Sequence, residues 1–168
     1  MTTLTVDIRK AEPRDADAIA DVHQAAWRGA YAGIIPHRAL NAMIGRRGPQ
    51  WWAHAIRRAT SILVVEVGGK VAGYATIGRN RARELPQQGE IYELYLKPEC
   101  QGIGLGTRLF AAARARLAAH NMKGLVVWAL EDNVGALDFY TGSGGRDVAE
   151  GVEVFDQKAL RKVAFVWD

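Results

Sequence analysis

The segment from Leu94 to Thr107, Leu-Tyr-Leu-Lys-Pro-Glu-Cys-Gln-Gly-Ile-Gly-Leu-Gly-Thr, constrains this chain more than any other. It reads as a strand, then a glycine-rich turn, then a helix. Glycine lets the backbone take positive φ and lets a ligand approach where a β-carbon would otherwise stand. The helix that follows presents unpaired N–H groups and the positive end of its dipole. Together they build a cradle for an anion, and a phosphorylated cofactor suits it.

The spacing excludes two common phosphate loops. A dinucleotide-binding fold needs G-x-G-x-x-G with an acidic residue about 20 positions later. Here the glycines stand at 102, 104 and 106 and run into an arginine-rich helix. A nucleotide P-loop needs Gly-Lys followed by Ser or Thr, but Gly106 is followed by Thr107 and Arg108.

The whole chain narrows the classes further. Its 168 residues suit one domain, spanning 1–168. No apolar run approaches the roughly 20 residues that cross a bilayer. Met1 to Lys10 carries Asp7, Arg9 and Lys10 and alternates like a strand rather than a secretory signal, so a cytoplasmic protein with no membrane partner is expected. Cys100 is the only cysteine, which rules out an intrachain disulfide and a cysteine metal cluster. Beside the glycine loop it reads as a small packing residue. His23 and His37 form no HxxxH pattern, and no metal is expected. A net charge of +4 without an aromatic-interleaved basic stripe argues against nucleic acid as a partner, and Arg79, Arg81 and Arg83 read as a solvated loop.

Periodicity places the elements. Leu4 to Arg9 reads as an opening strand, and Pro13-Arg14-Asp15 as a helix start. Ile19, Val22, His23, Ala26, Trp27 and Ala30 share one helical face, which Gly33 and Pro36 end. Residues 37 to 59 read as helical with a break around Gly45 to Pro49. Ser61 to Val67 and Lys70 to Gly78 form a hairpin about Gly68-Gly69. Gly89 to Lys97 is a strand, Leu105 to Leu117 carries a helical apolar face, and Leu125 to Leu130 suits a buried parallel strand. A compact helix over Asn133 to Tyr140 follows, and 146 to 154 with 162 to 167 can close the sheet as a hairpin.

Gln101, Gly104 and Gly106 match Gln/Arg-x-x-Gly-x-Gly/Ala, the pyrophosphate loop of the GNAT acyltransferase superfamily. Asn133, Ala136, Phe139 and Tyr140 match a second pattern, Asn-x-x-Ala-x-x-Phe-Tyr, in register with the first. The chain resembles this superfamily from Val6 to about Val166, most specifically between Glu90 and Gly145. The resemblance implies an α/β fold whose mixed central β-sheet has a splayed parallel pair and is flanked by helices. It implies acetyl-CoA as acyl donor, with the pantetheine arm along Leu94, Tyr95 and Leu96. The pyrophosphate would lie on Gly102, Ile103, Gly104, Leu105, Gly106 and Thr107, with Gln101, Asn133 and Tyr140 completing the cofactor site.

The implied chemistry is direct attack of a primary amine on the thioester, with the acceptor a small molecule. Tyr140 suits the proton donor to the departing sulfur, because a phenol of reference pKa about 10 stays protonated at neutral pH. The ammonium, of reference pKa about 10.4, must lose a proton. Glu90 lies eleven residues before Gln101, where some family members carry a catalytic glutamate, and is the first candidate base and acceptor-site carboxylate. Glu93 competes. Strand alternation sets the two on opposite faces unless a bulge intervenes, so one at most should face the acceptor, and Glu93 reads as a surface carboxylate. Trp27 and Tyr31 lie in the region that shapes the acceptor site in this family, although Trp27 also fits core packing. Trp128 stands where some protein N-terminal acetyltransferases carry a glutamate, which points away from that alternative. A silent acyl-CoA-binding sensor is a second alternative, and the resemblance allows a homodimer paired through the C-terminal sheet.

Overall fold

The computed structural model describes residues 4–58 and 61–168, so the readings at Met1 to Thr3 and at residue 59 lie outside it. Strand β1 (Val6–Lys10) and a 3-10 turn at Pro13–Asp15 lead into α1 (Ala16–Tyr31), α2 (His37–Arg46) and α3 (Pro49–Arg57). The hairpin β2 (Ser61–Val67) and β3 (Lys70–Arg79), the strand β4 (Gly89–Leu96) and helix α4 (Leu105–Ala119) follow. Strand β5 (Leu125–Leu130), helix α5 (Val134–Gly142) and the hairpin β6 (Arg146–Phe155) and β7 (Lys158–Trp167) complete the chain.

The seven strands form one mixed sheet in the order β1-β2-β3-β4-β5-β7-β6. Every neighbouring pair is antiparallel except β4 and β5, which the α4 crossover makes parallel. Leu105, Leu109, Phe110, Ala113 and Leu117 of α4 pack on one face of the sheet, against Leu63, Val65, Ile91 and Val127. The alternate residues Ile62 and Val64 pack on the other face, against Ile19 and Val22 of α1 and Trp52 and Ile56 of α3. This alternation is the period of two expected of strands covered on both faces. Arg9 ties the N-terminal edge together, donating to both Asp15 and Glu66.

The feature that positions the site is a failure of pairing. β4 and β5 are registered only over Gly89↔Leu125, Glu90↔Val126 and Ile91↔Val127. At that point the β3–β4 ladder shifts, because Thr76 pairs with Glu93 and Ile77 with Ile91, leaving Tyr92 as one extra residue on β4. Beyond it β4 stays with β3 and β5 stays with β7, so the sheet divides into two wings with a cleft between them.

The C-terminal hairpin differs from the sequence reading. β7 begins at Lys158 instead of residue 162, because Asp156 and Gln157 make a tight turn at φ 47° and 69°, and no glycine marks it. The Gly68-Gly69 turn, at φ 58° and 81°, is where the hairpin signal placed it.

Gly73 supports the cleft from behind. A β-carbon there would lie 2.4 Å from Leu96 Cδ2 and 2.7 Å from the Tyr95 carbonyl oxygen. Gly73→Ala should therefore cost about 1–3 kcal/mol through overpacking and lower the melting temperature by about 2–4 °C per kcal/mol, read by calorimetric melting.

His23 is fully buried on α1, and burial, reinforced by the charge of Arg47, pushes its imidazole down to about 4. Unfolded, it titrates near 6.5. Between those values the unfolded chain binds a proton that the folded chain does not, so stability rises with pH through the window and falls on acidification. Urea titrations should lose about 3 kcal/mol from this group between pH 6.5 and pH 4, and His23→Gln should flatten that slope.

Candidate active site

The cleft holds a groove of about 710 Å³ that runs along the free edge of β4, past the glycine loop and beneath α5. The sequence places Leu94, Tyr95 and Leu96 on that edge, where main-chain groups have no β5 partner. Such groups need hydrogen bonds from elsewhere, and an extended ligand with amides can supply them. At the groove's end α4 starts on Gly104, whose φ of 87° is left-handed and which offers no side-chain cap to the first turn. The N–H groups of that turn remain free to bind an anion. A β-carbon on Gly102 or Gly104 would touch nothing within 4 Å, so the loop leaves open space beside its backbone. The residues present thus fit a phosphorylated cofactor.

Individual loop residues divide by what they expose. Gln101, Gly102, Gly104, Gly106 and Thr107 line the groove. Gln101 also donates to the Leu96 carbonyl at 3.3 Å, which fastens the loop to the end of β4. Gly106 lies against Phe139, where a β-carbon would stand 3.3 Å from its ring. Ile103 is 68% exposed and Leu105 is buried in the core, so neither side chain enters the groove, and only their main-chain groups are available to a ligand.

The opposite wall comes from α5. Asn133 caps that helix by accepting the Ala136 N–H at 3.3 Å, and it also borders the groove. Tyr140 is 6% exposed, faces the groove, and packs its ring against Phe110, Phe165 and Trp167. Burial raises its phenol well above the usual value, so it stays protonated at any physiological pH.

A second cavity, of about 230 Å³, opens on the α1 side of the split. Tyr31, Tyr92, Glu93, Tyr95, Trp128 and Ala129 line both cavities, so the two meet there. The Tyr31 and Tyr95 hydroxyls are hydrogen-bonded across the junction, and burial pushes both phenols upward. Trp27 lines this second cavity while also stacking on His23 and Tyr31, so packing and lining coincide in it.

The bulge corrects the reading of the two glutamates. Three residues apart on a regular strand, Glu90 and Glu93 would face opposite sides. The extra Tyr92 restores the same parity, and both carboxylates line the second cavity. Glu93 is not a surface group either: its side chain is 12% exposed, accepts from Tyr74 at 3.0 Å, and pairs with Arg47. Glu90, 2% exposed, accepts from the Arg81 backbone N–H and guanidinium, each at 2.9 Å. Only Glu93 borders the groove as well; Glu90 lies at the far end.

Arg47, Glu153, Phe155 and Lys162 also line the second cavity, and sequence reasoning singled out none of them. Arg47 sits in the helix break, and the others lie on the C-terminal hairpin more than 50 residues from β4, so no local pattern joins them. Among the described residues no cluster of three His, Cys, Asp or Glu side chains is arranged to hold a metal ion, and no helix is long and apolar enough to cross a membrane.

Comparison with known proteins agrees with this architecture. An uncharacterized N-acetyltransferase of Bacillus subtilis, YuaI, is 29% identical over 96% of this chain and 92% of its own. A spermidine N(1)-acetyltransferase of Thermoplasma acidophilum is 23% identical over 84% of this chain and 88% of its own. The PaiA N-acetyltransferase of Thermoplasma acidophilum, solved in complex with coenzyme A, superposes with a TM-score of 0.76 over 94% of this chain and 98% of that one, at 18% identity. Residues 19–144 match the family model described as Acetyltransferase (GNAT) family, and the chain belongs to that family of acetyl-CoA-dependent N-acetyltransferases.

Proposed function

We propose that the chain transfers the acetyl group of acetyl-CoA to the primary amine of a small molecule in the cytoplasm. The observation that carries this is the junction of two cavities at Glu93, where a groove with an anion cradle meets a small aromatic pocket. The kinship with a spermidine acetyltransferase supports a small amine as acceptor. Acetyl-CoA, when bound, supplies an activated carbonyl and a sulfur leaving group. The free edge of β4 from Tyr92 to Leu96 orients the donor by main-chain hydrogen bonds, and the first turn of α4 holds its diphosphate.

Two side chains manage protons in this reading. Glu93, at the junction, accepts the proton that the acceptor ammonium must lose. The base role therefore moves from Glu90 to Glu93, because both carboxylates are paired with an arginine but Glu93 alone also borders the groove. Tyr140 keeps its proton until the sulfur departs and then donates it from the opposite wall.

Tyr140→Phe should lower kcat by about 100-fold or more while the dissociation constant for coenzyme A changes less than about twofold. Gly104→Val, which forces a β-branched residue to positive φ, should do the reverse and weaken coenzyme A by about tenfold or more. Thiol release and titration calorimetry separate the two, and a Tyr140→Phe enzyme of full turnover would remove the tyrosine from the chemistry. Glu93→Gln should lose about 100-fold in kcat at neutral pH and recover toward alkaline pH, where the amine sheds its proton unaided. Equal or larger losses in Glu90→Gln would return the base role to Glu90.

A further inference from the structure

The wall of the acceptor pocket repeats one arrangement three times: a carboxylate, a cation bonded to it, and an aromatic ring beneath the cation. Glu93 pairs with Arg47, whose guanidinium carbon lies 4.5 Å from the Trp51 ring centre. Glu90 pairs with Arg81 at 2.9 Å, and Arg81 lies 4.1 Å from the centre of Tyr92. Glu153 pairs with Lys162 at 3.1 Å, and Lys162 lies 4.8 Å from the centre of Trp128. The pocket is thus balanced, with a resident cation for each carboxylate.

That balance bears on the acceptor's charge. A polycation seeks unpaired carboxylates, and in this pocket each of the three lining carboxylates already has a resident cation, while the rings of Tyr31, Tyr95 and Phe155 stay free for an apolar group. The cations themselves have donors to spare. Arg47 spends one of its five N–H groups on Glu93, through Nη1, and the side chain is 30% exposed toward the cavity it lines. A guanidinium in this position recognises a carboxylate with charge-assisted hydrogen bonds.

From these contacts we infer that the acceptor is an α-amino acid with an apolar side chain, its carboxylate on Arg47 and its amine on Glu93. The inference rests on the acetyl-transfer reading above. An α-amino acid carries opposite charges on groups attached to one carbon, and Arg47 and Glu93 present the complementary pair side by side. Its side chain would lie among Tyr31, Tyr95, Trp128 and Phe155, in a cavity of about 230 Å³, equivalent to about eight water volumes of 30 Å³. Transfer forms the nitrogen–carbon bond at the α-amine and breaks the carbon–sulfur bond of acetyl-CoA. Nitrogen gives up two protons, one to Glu93 before attack and one to solvent as the tetrahedral intermediate collapses, while the sulfur takes the hydroxyl proton of Tyr140, which solvent then restores.

The test measures kcat/KM with acetyl-CoA for leucine and phenylalanine, for their decarboxylated counterparts isoamylamine and phenethylamine, and for spermidine, following thiol release and product mass. Each amino acid should exceed its decarboxylated counterpart, and spermidine, by about tenfold or more, the worth of one good charge-assisted contact. Arg47→Gln should shrink that preference to about twofold, with Arg47→Lys between the two. The ratio is taken within each variant, so a general loss of folded protein does not imitate the result. Preference for a decarboxylated amine or spermidine, or an undiminished ratio in both variants, overturns the amino-acid class while leaving acetyl transfer standing. Coenzyme A binding by calorimetry with no product from any of the five acceptors overturns the class alone; no binding of coenzyme A overturns both readings.

Discussion

One surplus residue in β4 governs the site. Tyr92 has no partner opposite it on β3, and the strand turns out of its parallel partnership with β5 where that surplus falls. A regular β4 would continue beside β5 and bury its edge. The bulged strand keeps β3 and gives up β5, which leaves main-chain donors and acceptors facing a cleft in the middle of the molecule. The same shift brings Glu90 and Glu93 to one side. Groove, junction and acidic wall are three results of one register change.

The two wings are held by packing on both faces. Helix α4 lies across the β4 side and meets Phe139, Tyr140 and Trp167 of the other wing through Phe110. On the opposite face, Tyr31 of α1 packs against Tyr95 of β4 and clusters with Leu130 of β5 and Leu160 of β7. The elements around the cleft are therefore braced by packing, and the second cavity is framed by side chains whose charges already satisfy one another. Buried carboxylates need such partners, since an unpaired one is costly to keep from water. The arrangement leaves the pocket's polarity to the spare hydrogen-bonding capacity of its cations.

What the sequence disclosed was local, and what it concealed was long-range. The glycine loop and the Asn133 to Tyr140 helix are contiguous segments whose geometry follows from neighbouring residues, and they could be placed from the chain alone. The Gly68-Gly69 turn was equally readable, because glycine advertises positive φ, while the turn at Asp156 and Gln157 reaches the same region without one. The bulge at Tyr92 was not readable, because it is a relation between β3 and β4 rather than a property of either. Arg47 and Lys162 escaped for the same reason: each gains its meaning only from a carboxylate or ring brought to it by the fold.

The seam between the wings consists of three residue pairs, Gly89↔Leu125 to Ile91↔Val127. So short a junction leaves the aperture between the wings to the side chains wedged above it. Tyr140 is part of that wedge, its ring lodged between Phe110 and Trp167. The phenol proposed to meet the departing sulfur therefore belongs to a side chain packed between α4 and the β5–β7 wing, and its hydroxyl group can be altered independently of its bulk.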